Sequence, residues 1–317
     1  MNNKLFVFKN REFFNFIFLN NIICLKTFFT LKLFIIMNKN KILILGAKGM
    51  LGQDLAKVSA DFDLTLWDKE EIDIAEEYQI KTKIGTLKPE IIINCAAYTA
   101  VDDCETNKDL ALRVNSQAVG YLAQTARKIG AVLVHISTDY VFDGKNEKGY
   151  PEDSLALDPI NFYGQSKLFG EKMLQNLTEK YYLIRTSWLY GQGGKNFVNT
   201  MLKLGKEKEE LKVVNDQFGK PTFTVDLAKQ ILYILNNNLP FGIFHVTNET
   251  KEGGITWYEY AQKIFELAKL NIKVIPCTSQ EFPRPARRPA YSALINTKLP
   301  KMREWQVALK EYLSNKL

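Results

Sequence analysis

Seven residues, Gly46-Ala47-Lys48-Gly49-Met50-Leu51-Gly52, stand between the aliphatic run Lys41–Leu45 and a stretch with helical spacing, and they constrain this 317-residue chain more than any other feature. Glycines at i, i+3 and i+6 let the chain turn sharply after a strand. They also let backbone N–H groups approach a pyrophosphate and let the following helix pack close to that strand. An acidic residue, Asp68, ends the second aliphatic run 22 residues after Gly46, where its carboxylate can bond an adenosine ribose. The run therefore predicts a dinucleotide-binding turn, with Gly46, Lys48, Gly49, Met50, Leu51, Gly52 and Asp68 as cofactor contacts.

The rest of the chain supplies the sheet such a turn requires. Lys41–Leu45, Leu64–Trp67, Ile91–Asn94, Val132–Ile136 and Tyr182–Ile184 read as strand cores, and Met50–Ser59, Ala75–Gly85, Leu110–Gly130 and Tyr163–Leu177 as the helices between them. Strands that are apolar almost throughout, joined by crossovers of a dozen or more residues, predict an α/β fold with a doubly wound parallel Rossmann-type sheet. After about Thr186 the alternation loosens into turn-rich segments, which predicts a smaller C-terminal substrate-binding lobe. The expected division is a dinucleotide-binding domain over 37–185 and, over 186–317, a lobe from which some segments return to the sheet.

Charge raises a different partner and then removes it. The formal net charge is +7, but residues 1–36 hold Lys4, Lys9, Arg11, Lys26 and Lys32 against Glu12 alone, leaving +3 on the remaining 281 residues. No nucleic-acid or membrane partner is expected from so small an excess. The same leader holds nine of the 20 Phe. Its longest uncharged run, Phe13 to Leu25, is too short to span a bilayer. It lacks the small-residue cleavage site of a signal peptide and the Arg- and Ser-rich character of a transit peptide. Its residues are those of AT-rich codons, so it reads as upstream sequence translated in frame, with Met37 as the start. The four cysteines show no C-x-x-C spacing, and the two histidines, His135 and His245, lie far apart in apolar runs, so neither a metal site nor a disulfide framework is indicated. A reducing cytoplasm fits.

A Tyr-x-x-x-Lys pair puts an ammonium and a phenol on one helix face, where the charge can draw the phenol's pKa of about 10 toward neutrality and ready it to protonate a carbonyl. The spacing alone is weak, since roughly one or two matches arise by chance in a chain this rich in Tyr and Lys. Two occur, Tyr163–Lys167 and Tyr312–Lys316. The first opens the helix after the fourth strand, whose end carries Ser137-Thr138-Asp139, a hydroxyl partner for the same carbonyl. The second has no strand before it and reads as a solvated terminal helix face.

Eight blocks now resemble, in order, the dTDP-4-dehydrorhamnose reductase family of extended short-chain dehydrogenases. They are Gly46–Gly52; Asn94 to Asp102 with Glu105; Val114-Asn115; Ile136 to Gly144; Tyr163 to Lys167 with Gly170-Glu171; Arg185 to Gly191 with Asn196-Phe197; Asp216 to Gly219 with Pro221-Thr222; and Arg287 to Ser292. Cys95, where Ala is expected, Val225, where a basic residue is expected, and the leader depart from the family pattern. The resemblance implies Thr138, Tyr163 and Lys167 as the catalytic triad, with hydride passing from reduced nicotinamide to C4 of a 4-keto-6-deoxy sugar nucleotide. It implies that Asn94, Ala96, Ala97 and Tyr98 line the cofactor, small residues for helix–strand packing being the alternative. It places Tyr98, Asp102 and Glu105 near the nicotinamide and sugar, against a plain acidic helix turn. For the substrate it implies Thr138, Asp139, Tyr163, Trp188, Asn196, Phe197 and Arg287. A core position is the alternative for Trp188, and a solvated basic pair for Arg287 and Arg288. The resemblance implies NADPH with NADH tolerated as the cofactor; the residues themselves leave that choice open, since Asp68 would repel a 2′-phosphate that Lys48 could attract. The family can be dimeric, sometimes with Mg²⁺ at the subunit contact, but no residue here gives a basis for a metal; monomer and homodimer both stay open. The same fold also serves reductases of other 4-keto-6-deoxy sugar nucleotides and a non-catalytic regulatory subunit, and the intact Thr138, Tyr163 and Lys167 argue against the last.

Overall fold

The computed structural model describes residues 40–316. The leader 1–36 and the Met37 start lie outside the described residues. Six parallel strands form the central sheet: β1 (Lys41–Leu45), β2 (Asp63–Trp67), β3 (Ile91–Asn94), β4 (Val132–Thr138), β5 (Tyr181–Thr186) and β10 (Gly242–His245), in the order β10-β5-β4-β3-β1-β2. The order reverses beside β1, so the loops after β1 and β3 open onto one crevice at the carboxyl edge, which is where open α/β sheets bind ligands.

Helices cover both faces because the strands are apolar on both. On one side α1 (Met50–Val58) and α6 (Thr224–Asn236) pack over Ile42, Ile44, Ile93 and Ile184. On the other, α2 (residues 77–87), α3 (residues 108–129) and α4 (Phe162–Leu177) meet Leu43, Leu45, Ile92 and Leu183. α2 and α3 each contain a five-residue π-helical turn, Ile80–Ile84 and Arg113–Gln117.

A separate core is built almost entirely from residues after 188. It gathers α5 (Phe197–Glu207), α7 (Trp257–Ala268) and α8 (Trp305–Ser314) around Tyr190, Phe223, Tyr260 and Tyr312. Its strands come only as pairs: β6 (Leu189–Tyr190) with β9 (Thr222–Phe223), β7 (Glu210–Val214) with β12 (Lys273–Cys277), and β8 (Phe218–Gly219) with β11 (Ile255–Thr256). Tyr312 corrects one expectation. It is fully buried and its hydroxyl donates to the Gly191 carbonyl at 2.9 Å, because Trp305, Ala308, Leu309, Tyr312 and Leu313 form an apolar stripe at helical spacing. The second Tyr-x-x-x-Lys match is thus a packing element, with only Lys316 outside the core.

Candidate active site

A cavity of about 960 Å³ lies along the carboxyl ends of β1 to β5, lined by Gly46, Lys48 to Gly52, Asp68, Cys95 to Tyr98, Val114, Thr138, Asp139, Tyr163, Lys167 and Thr186 to Trp188, among others. Its floor at β1 admits no side chain. A Cβ on Gly46, whose φ is +73°, would stand 2.8 Å from the Ala96 nitrogen, and one on Gly52 would stand 2.3 Å from the Gly46 carbonyl oxygen. The turn leaves the first amides of α1 at the cavity wall, a cradle suited to a pyrophosphate. At the far side Asp68 accepts the amides of Lys48 and Lys69, both at 2.8 Å, while Lys48 Nζ pairs with Glu70 at 2.9 Å. Two buried polar atoms on the wall, Asp139 Oδ2 and Thr186 Oγ1, have no partner within the protein. A glycine turn whose close backbone approach any Cβ would obstruct, with the acidic Asp68 across the same cavity, is the chemistry of a dinucleotide site, so the residues present fit that group.

Tyr163 is the second residue of α4, and three contacts set that helix start. Asn161 caps it by accepting the Gly164 amide at 2.8 Å and donates to the Arg287 carbonyl at 2.8 Å, while Glu105 accepts the Phe162 amide at 2.9 Å. A side-chain cap of this kind contributes about 1 kcal/mol. Opposite, the Thr138 hydroxyl donates to Asp139 Oδ1 at 3.0 Å and accepts the Tyr140 amide at 3.2 Å. Below, Lys167 Nζ donates to the Ile136 carbonyl at 2.7 Å and lies 3.3 Å from His135 Nε2.

Burial sets the proton affinities here. It pushes the Tyr163 phenol well above its ordinary value, against a smaller downward pull from Thr138. It pushes the Asp139 carboxyl up to about 7, and pulls the Lys167 ammonium down to about 8, with Glu171 opposing. The ammonium is anchored on the Ile136 carbonyl of β4, and burial draws its ionisation toward neutrality. Behind Lys167, Glu171 and Arg185 form a fully buried bidentate pair, at 2.7 and 3.0 Å, into which Ser137 also donates at 2.6 Å.

Of the cofactor residues expected from the sequence, all but Asn94 line the cavity. Asn94 lies beneath it, because as the last residue of β3 it pairs with His135 on β4 and turns its amide onto that ring at 3.1 Å. Thr138, Asp139, Tyr163 and Trp188 reach the same cavity, and Phe197 lines a second one of about 720 Å³ with Asp102, Tyr140, Lys208, Lys212, Trp257 and Arg288. Asn196 and Arg287 line neither. The Asn196 amide is consumed at the start of α5, accepting the Asn199 amide at 2.9 Å and donating to the Gly191 carbonyl at 3.0 Å. Arg287 is exposed, and it is Arg288 that faces inward, donating to Asp102 at 2.8 Å.

Trp188 joins the two cavities' walls. It stacks on Trp257 with ring centroids 3.4 Å apart and holds a φ of +46°. That conformation costs a non-glycine residue on the order of 1 kcal/mol, and an aromatic stack of this kind returns a similar amount. Asn115 supports the site and was not singled out by the sequence pattern. From α3 it brackets the Tyr98 backbone, accepting its amide at 2.9 Å and donating to its carbonyl at 3.0 Å. The signal was present, since Val114-Asn115 is one of the matching blocks, but nothing local says which loop an Asn on a helix will hold.

Comparison with known proteins agrees with this geometry. The profile of the RmlD substrate binding domain matches residues 40–317. The spore coat polysaccharide biosynthesis protein SpsK of Bacillus subtilis is 41% identical over 282 residues, covering 87% of this chain and 98% of its own. The crystal structure of a dTDP-4-dehydrorhamnose reductase from Clostridium acetobutylicum is 44% identical with a TM-score of 0.83, over 87% of this chain and 99% of that one. That of the Bacillus anthracis dTDP-4-dehydrorhamnose reductase in complex with NADP is 39% identical with a TM-score of 0.84, over 88% and 100%. With a glycine turn, a Tyr163–Lys167 pair and a Trp188 wall all in one cavity, and with likeness of this extent, the chain belongs to the RmlD substrate binding domain family, that of the dTDP-4-dehydrorhamnose reductases.

Proposed function

We propose that the chain reduces the C4 keto group of dTDP-4-dehydro-L-rhamnose to give dTDP-L-rhamnose for surface polysaccharide synthesis, using NADPH and tolerating NADH. The observation that carries this is the meeting of Thr138, Tyr163 and Lys167 in the cavity that the glycine turn also walls. Gly46 to Gly52 would hold the pyrophosphate and Asp68 the adenosine ribose. Lys48 needs only to leave Glu70, an exposed partner, to meet a 2′-phosphate, and the Bacillus anthracis relative was solved with NADP. When bound, the reduced nicotinamide supplies the hydride.

The chain's own work is the proton. Tyr163, kept protonated by burial, gives its phenolic proton to the C4 oxygen as carbon gains hydride, so the carbonyl becomes a hydroxyl and the phenol a phenolate. Thr138 donates a second hydrogen bond to the same oxygen once it leaves Asp139, and the ammonium of Lys167 offsets the new negative charge. Trp188 would give the sugar an apolar face. The second cavity suits the nucleotide end of the substrate. Phe197 and Trp257 offer flat apolar surface, and Arg288, Lys208 and Lys212 offer cations for a diphosphate.

We assign the dinucleotide to the 37–185 domain and the sugar nucleotide to the 186–317 lobe. We place the chain in the cytoplasm, as monomer or homodimer, with a sugar nucleotide rather than nucleic acid or membrane as its partner. No helix among the described residues is long and apolar enough to cross a membrane, and none of their His, Cys, Asp and Glu gather in a group of three that could hold a metal. Mg²⁺ dependence is decided by titration with and without a chelator. The reading is tested by NADPH oxidation with a panel of 4-keto-6-deoxy sugar nucleotides. Turnover is expected to be highest with dTDP-4-dehydro-L-rhamnose; faster turnover of another sugar would reassign the substrate, and none with any of them would remove the reductase reading.

A further inference from the structure

His135 and Asn94 lie under the cavity floor, buried to within 1% of full enclosure and set side by side by the β3–β4 register. The imidazole bridges them to the catalytic lysine, with Nδ1 at 3.1 Å from Asn94 Nδ2 and Nε2 at 3.3 Å from Lys167 Nζ. The Ala96 amide donates to Asn94 Oδ1 at 3.2 Å, so the amide's NH₂ faces the ring. A neutral imidazole has one N–H and one lone pair. Nδ1 must therefore accept, and Nε2 carries the hydrogen toward Lys167. An ammonium there would set N–H against N–H, whereas an amine offers a lone pair. To accept an ammonium, the ring must move its proton to Nδ1 and the Asn94 amide must turn over, giving up the Ala96 bond. Charging the ring itself is disfavoured by burial and then by Lys167.

We propose that His135 is a positioning residue that tunes the proton affinity of Lys167: its tautomer, coupled to the Asn94 amide, changes as the lysine passes between ammonium and amine. Lys167 is thereby poised to change charge near the working pH, its proton leaving through the cavity that it lines. The other groups facing Lys167 are Tyr163 and Glu171 on its own helix and Cys95 after β3, with Arg185 of β5 held by Glu171. Burial keeps the Cys95 thiol neutral, pushed up to about 12, and Asp139 bears on Tyr163 rather than on the imidazole. The proposal rests on Tyr163–Lys167 as the proton-donating pair, which a Tyr163→Phe variant tests separately.

The decisive measurement is ¹⁵N NMR of the full chain labelled at histidine, from pH 6 to 10. The chain has only two histidines, and His245 identifies itself because its Nδ1 faces the carbonyls of Tyr150 and Ile295, at 3.0 and 3.2 Å, which holds one tautomer throughout. The other ring is expected to pass from the Nδ1–H to the Nε2–H tautomer around pH 8. A single tautomer over the whole range, or an imidazolium at pH 6, would overturn the proposal even with the reductase reading intact. A His135→Asn variant then reads the coupling. Its alkaline limb of kcat/KM is expected about one pH unit higher, a tenfold change in the ionisation constant, while the same limb stays in place in Asp139→Asn. A merely structural His135 would lower kcat at every pH and leave the limb where it is, which counts against the proposal. Should His135→Asn fail to fold, the tautomer measurement on the unaltered chain decides alone.

Discussion

The two ends of the active-site region are made of different material. At the β1 end, the surface proposed to meet a phosphate is main chain, bared by glycines that lie within seven residues of one another. At the lobe end it is side chain: Trp188 stacked on Trp257, and Arg288 held by Asp102 across 186 positions of sequence. A main-chain surface has no rotamers to adjust and tolerates no added methyl. A side-chain surface can be exchanged residue by residue, so substrate choice can change there while the cofactor end stays fixed.

The comparison breaks first at the reacting centre, which both ends serve. Tyr163→Phe is expected to lower kcat by about 10³-fold, within the usual span for a general acid, while NADPH affinity, followed by nicotinamide fluorescence, changes less than threefold. Turnover near the unaltered rate would remove Tyr163 from the chemistry. One methyl tests the main-chain end: Gly52→Ala forces a Cβ to 2.3 Å from the Gly46 carbonyl. It should weaken NADPH binding by about 30-fold or more while dTDP binding, measured by calorimetry, persists, and equal loss of both would mean that the ends are not independent. The smallest effect is at the side-chain end. Arg288→Ala should raise KM for the sugar nucleotide about tenfold, the scale of one charge-assisted hydrogen bond, whereas Arg287→Ala should leave it unchanged. The reverse pattern would return the assignment to Arg287.

The same difference explains what could be read from the chain before folding. The glycine turn, Asp68, the central strands and Tyr163–Lys167 are signalled by neighbours in sequence, and the structure brings them together. β4 runs past the expected end at Ile136 to Thr138, so the hydroxyl proposed for catalysis is itself in the sheet. What local pattern could not show depended on distant partners. Nothing around Asn196 says that its amide will be spent on Gly191, nor does Arg287 differ from Arg288 until Asp102 selects one. Tyr312 looked solvated because its stripe has no visible partner until α8 meets Tyr190 and Phe223. β10 escaped for the same reason, a short run of four residues arriving after the lobe has begun.

That late strand has a consequence for synthesis. Gly242 pairs with Tyr182, so after β5 leaves the ribosome its outer edge stays open until about 60 further residues have followed. At roughly 5 to 20 residues per second the wait lasts about 3 to 12 seconds. During that time Tyr182, Leu183 and Ile184 present unpaired main chain to any neighbouring nascent chain, the situation that invites edge-to-edge aggregation. Slow translation between residues 186 and 242 would prolong the exposure, and chaperone demand should fall sharply once the strand at 242–245 closes it.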